Sequence, residues 1–219
     1  MGVSLDRILT LFETGYGLPQ HPRVLDIGCS NLHTIDPEAV KAFVRRHNDV
    51  YDPDALDLWA RFIAAGGAMD EEIGGINGAW LGDLLQRAGF EYTAFDIFSG
   101  FNTQYVDLNE QSLSDEQRGR FDLVLNFGTT EHVLGQFNAF KVIHEATAVG
   151  GVMYHDLPMT GHMDHGFYNY NPVLLVSLAE ANGYEVLHMS FTGGFAGESV
   201  RSRLGARYQE LPKFHMPSE

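Results

Sequence analysis

The stretch Arg23-Val24-Leu25-Asp26-Ile27-Gly28-Cys29-Ser30-Asn31 constrains the fold more than any other part of the chain. Val24, Leu25 and Ile27 form a short apolar run, the pattern of a parallel strand buried on both faces. Asp26 closes the run, and Gly28 lets the backbone turn where a Cβ would clash. In an open α/β sheet, ligands sit off the carboxyl ends of the strands, where such a turn lies. Alone, the pattern is equally that of a plain β-turn.

The rest of the chain repeats the unit. Residues 92–97 read as a second strand, ending in Asp96-Ile97. A third, 104–109, ends in Asp107-Leu108-Asn109, and 121–128 is a fourth, ending in Asn126-Phe127-Gly128. Residues 152–156 and 184–191 complete the set, and no seventh strand is evident. Helical spacing separates them. Ser4 can cap a helix through Leu5, Ile8, Leu9 and Phe12. Ala79, Leu81, Leu84 and Leu85 mark a second, and Phe137, Phe140, Val142, Ile143 and Ala146 a third over 136–148. Asn171-Pro172 starts a fourth, which Asn182-Gly183 stops. Strands and helices alternate without hairpin signals. The expectation is an α/β fold, a doubly wound, mostly parallel, Rossmann-like sheet in a single domain over residues 1–219.

One departure from that rhythm is a helical insertion over residues 32–73. Helical patterns at 37–47 and 53–65 lie where a helix normally follows the first strand at once. The pair either covers a sheet edge or forms a lid, because it leaves from the ligand side of the strand. Gly74-Gly75-Ile76-Asn77-Gly78 then opens the delayed helix. The small-residue loop is therefore split between Gly28-x-Ser30 and 74–78. Folding could bring both halves to a helix N-terminus, where backbone amides favour an anion.

A net charge of −15 argues against a phosphate-tracking face, so no nucleic acid is expected. Cys29 is the only cysteine, which rules out an internal disulfide and a cysteine-rich zinc site. No signal peptide or bilayer-length apolar run is visible, so a cytoplasmic protein with no membrane partner is expected. A homo-oligomer is left open.

The order of these motifs over residues 22–192 resembles the class I S-adenosylmethionine-dependent methyltransferases. Residues 24–30 resemble their first motif, Phe95-Asp96 their ribose acid, and Asp107-Leu108-Asn109 their adenine-side acid. Residues 121–128 resemble the strand where methyl transfer is positioned, and 150–156 the next strand motif. The segments 126–133 and 165–172 resemble an uncharacterised bacterial subgroup, with a link to saccharide or secondary-metabolite pathways. The methyltransferase-type fold and an enzyme using S-adenosylmethionine are what the resemblance implies. Asp26, Gly28 and Ser30, with Gly75 and Gly78, would hold the methionine end. Asp96 with Ile97 would take the ribose side, Asp107 and Leu108 the adenine, and Asn126 and Gly128 would line the methyl donor. The chain departs from the pattern in its Gly-x-Ser turn. It also separates Asp26 and Asp96 far beyond the roughly 20 positions of a compact unit.

The implied reaction is O- or N-methylation of a small-molecule acceptor. A hydroxyl acceptor needs a base near neutral pKa, which selects histidine. His132, just past the fourth strand, is the first candidate, with Glu131 beside it and His165 in the later loop. His155, Asp156, His162, Asp164 and His165 mix imidazole and carboxylate, but no compact metal motif is present and no metal site is assigned. Tyr154, Phe167, Tyr168 and Tyr170 either wall the acceptor or pack in the core. The alternative is a protein of the same fold that binds cofactor without catalysis, or acts as an interaction module. The missing Gly-x-Gly-x-x-Gly speaks against a nicotinamide oxidoreductase.

Overall fold

A computed structural model describes residues 2–34, 36–65, 79–159 and 165–191. The described chain opens with β1 (Gly2–Ser4) and α1 (Leu5–Thr14), followed by β2 (Arg23–Ile27) and β3 (Asn31–His33). The insertion supplies α2 (Pro37–His47) and α3 (Pro53–Ala64). Then come α4 (Leu81–Arg87), β4 (Glu91–Asp96), β5 (Thr103–Tyr105) and β6 (Phe121–Phe127). A 3-10 turn (Thr130–His132), α5 (Gln136–Ala146), β7 (Thr147–Asp156) and α6 (Pro172–Asn182) complete it.

Five parallel strands form the main sheet in the order β5-β4-β2-β6-β7, with helices flanking it. The α/β, Rossmann-like expectation is met at that level. Strand β2 is central, as its continuous burial requires: Val24, Leu25, Asp26 and Ile27 are all fully buried. One face carries Val24, Tyr92, Ala94, Leu123 and Leu125 into a core with Ile8, Leu11, Phe43, Ile63, Leu84 and Leu85. On the other face Phe95 meets Phe121 edge-on, and α5 lays Phe140 against His155. Arg23 forks onto Asp122 at 2.8 and 3.0 Å and fixes the amino ends of β2 and β6 together.

The insertion's helices form where the sequence places them. Asp36 and Asp52 cap them through side-chain oxygens, and Pro37 and Pro53 occupy their first turns. Lys41 joins the two helices, donating to Asp57 at 2.6 Å beside Glu38 at 2.7 Å. Trp59 donates its indole N–H to Asp83 of α4, and the Arg87 guanidinium lies over the same ring. The pair is thus tied to α4 of the helical layer.

Three expectations are corrected. The insertion begins with β3, which pairs in parallel with β1, so residues 2–4 are strand before the helix starts. The third strand is shorter: only 103–105 pair, because Asp107 turns back to accept the Asn109 N–H. Residues 184–191 form no strand. Gly183 ends α6 at φ +70°, and Tyr184 donates back to Ala179. Apolar alternation cannot make a strand without a ladder partner.

The chain divides into two compact units. The first comprises Met1–Pro158 with Gly166–Tyr168, and holds the whole sheet. The second has among its described residues Met159, His165 and 169–191. It contains α6, whose first turn is capped by Asn171 and which buries Val176, Ser177 and Ala179. Among the described residues no helix is long and apolar enough to cross a membrane.

Candidate functional site

The strand order reverses at β2: β4 and β5 lie to one side, β6 and β7 to the other. In sheets with such a reversal, ligands usually sit at the carboxyl ends of the strands. The turn after β2 lies at that position. The Asp26 carboxylate is fully buried and accepts the Ser30 N–H at 2.7 Å, the Ser30 hydroxyl at 3.0 Å and the Tyr92 hydroxyl at 2.9 Å. Burial raises the Asp26 pKa, and its three hydrogen bonds oppose that rise. The Tyr92 phenol is driven well up by burial and by the neighbouring carboxylate. Asp26 and Ser30 therefore shape the turn from inside the core.

Gly28 sits at φ +89° and donates to the Phe95 carbonyl at 2.8 Å. A Cβ there would lie 2.1 Å from Thr129 Oγ1, so only glycine fits. The Thr129 hydroxyl itself donates to the Ile27 carbonyl at 2.5 Å. This clasps the turns after β2 and β6 across the reversal. No periodicity or motif in the sequence points to Thr129. Its one signal is the small polar pair Thr129-Thr130 directly after Gly128.

The ends of the insertion meet at this turn. Leu32 donates to Ala79 at 2.9 Å, Leu81 donates to Ser30 at 3.0 Å, and Asn31 bridges Trp80. The two flanks of the split loop are thereby joined. Gly75 and Gly78 lie outside the described residues.

Asp96 ends β4 with its carboxylate part-exposed, accepting the Phe98 N–H at 3.0 Å. Ile97 and Phe98 follow at 49% and 73% exposure, an unusual display of apolar surface beside an acid. Val106 donates to the Asp96 carbonyl, bringing the 107–109 turn alongside. There Asp107 accepts both the backbone and side-chain N–H of Asn109, while Leu108 is buried. The Asn109 side chain in turn accepts the Gly135 N–H at 3.0 Å.

At the end of β6, Asn126 is fully buried. Its amide donates to Thr130 Oγ1 at 3.0 Å and lies 3.2 Å from His155 Nδ1, and its oxygen faces the N–H groups of Thr129 and Thr130. Asn126 thus holds the backbone of the turn that follows β6. Gly128 turns at φ +74°. Glu131 is buried and His132 exposed on the 3-10 turn. The Glu131 carbonyl accepts the N–H groups of Phe167 and Tyr168, and the Tyr168 hydroxyl donates to the Leu134 carbonyl. Phe167 remains 66% exposed.

His165 is exposed and belongs to the second unit, as does the buried Tyr170. Strand alternation turns His155 and Asp156 of the acid–imidazole set to opposite faces. His155 faces Phe140 and Asn126, whereas Asp156 pairs with Arg7 of α1. Tyr154, part-buried, packs on Phe127 against the core. His162 and Asp164 lie outside the described residues.

Compared with family models, with curated proteins and with solved structures, the chain has no match.

Proposed function

We propose that the chain binds S-adenosylmethionine at the carboxyl ends of β2, β4 and β6 and transfers its methyl group to a small-molecule hydroxyl or amine. The observation that carries this reading is the pairing of a part-exposed acid with exposed apolar side chains at the tip of β4. The Asp96 carboxylate suits two ribose hydroxyls, and Ile97 and Phe98 suit an apolar base face. The adenosine half of the cofactor thus has fitting receivers. The methionine half falls partly to residues outside the described ones.

When bound, the cofactor supplies a methyl group on a cationic sulfur, which departs as a neutral thioether. The chain's part is positioning and proton removal. The clasp of Thr129 on Ile27 fixes the distance between the turn after β2 and the 3-10 turn. His132 on that turn would accept the acceptor's proton and release it to water. Asp26 and Ser30 act through the shape of the turn.

Calorimetric titration with S-adenosylhomocysteine tests the reading. Micromolar binding is expected, weakened by tenfold or more in Asp96→Ala, or about 1.4 kcal/mol. No binding by the intact chain would leave a non-catalytic interaction protein of the same fold.

A further inference from the structure

The geometry points to His155 as a positioning residue, which orients the Asn126 amide and through it the turn that carries Glu131 and His132. This role rests on the proposed function for its purpose, but its geometry stands apart from the cofactor.

Asn126 and His155 are register partners on neighbouring strands β6 and β7. Asn126 has two amide protons and one amide oxygen to satisfy, all buried. One proton goes to Thr130 Oγ1 at 3.0 Å. The other has His155 Nδ1 at 3.2 Å. This assignment requires an uncharged ring with its proton on Nε2, since a protonated Nδ1 would confront the amide with a second donor. With both protons committed, the Asn126 oxygen can only face the opposite way. There it lies 3.4 Å from the N–H groups of both Thr129 and Thr130. Those two amides open the turn whose next residues are Glu131 and His132.

An amide flipped by 180° would place its oxygen against His155 Nδ1 and its N–H₂ against two backbone N–H groups. The imidazole acceptor forbids that state. Phe140 packs on the ring at 5.7 Å between centroids and holds it in place.

Two substitutions separate this role from simple packing. His155→Leu keeps most of the volume and removes the acceptor. His155→Asn keeps a side-chain oxygen near the position of Nδ1 and loses volume. Amide hydrogen exchange and the imidazole NMR signals of His132 are read in both, with the amides of Leu123–Leu125 as the internal control. Positioning predicts that His155→Leu speeds exchange at Thr129 and Thr130 by about tenfold or more over the β6 control and shifts the His132 signals. It predicts that His155→Asn leaves both near the parent. Packing alone gives the reverse order, with His155→Leu tolerated and His155→Asn disturbed, and that order overturns the proposal. The parent's ¹⁵N spectrum must also place an unprotonated nitrogen at His155 Nδ1; a protonated one overturns it. S-adenosylhomocysteine binding is measured on the same samples. Its absence would sink the methyltransferase reading without altering which order the exchange data take.

Discussion

Lowering the pH should cost this protein stability through His155 in a way that can be isolated. The ring is part-buried on β7, and the loss of hydration there holds its pKa down at about 4 against 6.5 for a free imidazole. Its folded-state pKa is depressed, so the unfolded chain binds the proton first. The stability tied to the neutral ring is complete above about pH 6.5 and is lost as the pH falls toward 4. At pH 5 the unfolded imidazole lies about 1.5 pKa units into its protonation while the folded ring stays neutral, which amounts to about 2 kcal/mol. The assay is urea unfolding at pH 7.5 and pH 5 for the parent and for His155→Asn, which removes the titration and keeps an acceptor for Asn126. The parent should lose about 2 kcal/mol more than the variant between the two pH values. His47, also lowered by burial, contributes equally to both proteins and cancels. Equal losses in parent and variant would refute the reasoning, because they would mean that the folded ring takes up its proton as readily as the unfolded one.

Other outcomes follow from the same contacts. Gly28→Ala brings a Cβ to 2.1 Å from Thr129 Oγ1 at a φ of +89° and should lower stability by about 2–4 kcal/mol in urea melts. A Thr129→Gly background should return the steric share, and an additive double variant would contradict the clasp. Gly135→Ala sets a Cβ 2.4 Å from the Asn109 carbonyl, so a loss of about 1–3 kcal/mol is expected; an unchanged melting temperature would count against that close approach. Arg23 holds the Asp122 carboxylate below its usual range, so the stability it contributes is present above about pH 4 and fades as the pH falls further. In Asp122→Asn the neutral-pH loss should be about 1 kcal/mol or less and should shrink in high salt, since the pair is partly solvated.

What the chain discloses before folding follows from how local each signal is. Val24, Leu25 and Ile27, and the run through 121–127, identify buried parallel strands because burial on both faces leaves no polar alternation to confuse them. Pro37 and Pro53 behind Asp36 and Asp52 mark helix starts because capping is a contact of two or three residues. Asp96 at a strand tip was legible for the same reason. The pairing of Gly2–Ser4 with Asn31–His33 was not, since three-residue strands carry no periodicity and their partners are distant in sequence. The strand expected at 184–191 failed in the opposite sense, with a pattern present and no ladder to receive it. At the site, the sequence shows which residues are polar but not which way they face. The burial and hydrogen bonding of Ser30 and Asn126 depend on how the strands stack. Only the register of β6 with β7 sets His155 opposite Asn126, and nothing local to either residue announces it.

The most direct measurement is a crystal structure of the chain grown with S-adenosylhomocysteine. The account predicts adenosine density at the carboxyl ends of β4 and β5, with the ribose hydroxyls on the Asp96 carboxylate and the base against Ile97 or Phe98. Density for the ligand at any other place, or a well-ordered sheet edge that stays free of it at saturating concentration, would contradict the assignment of this edge as the cofactor site.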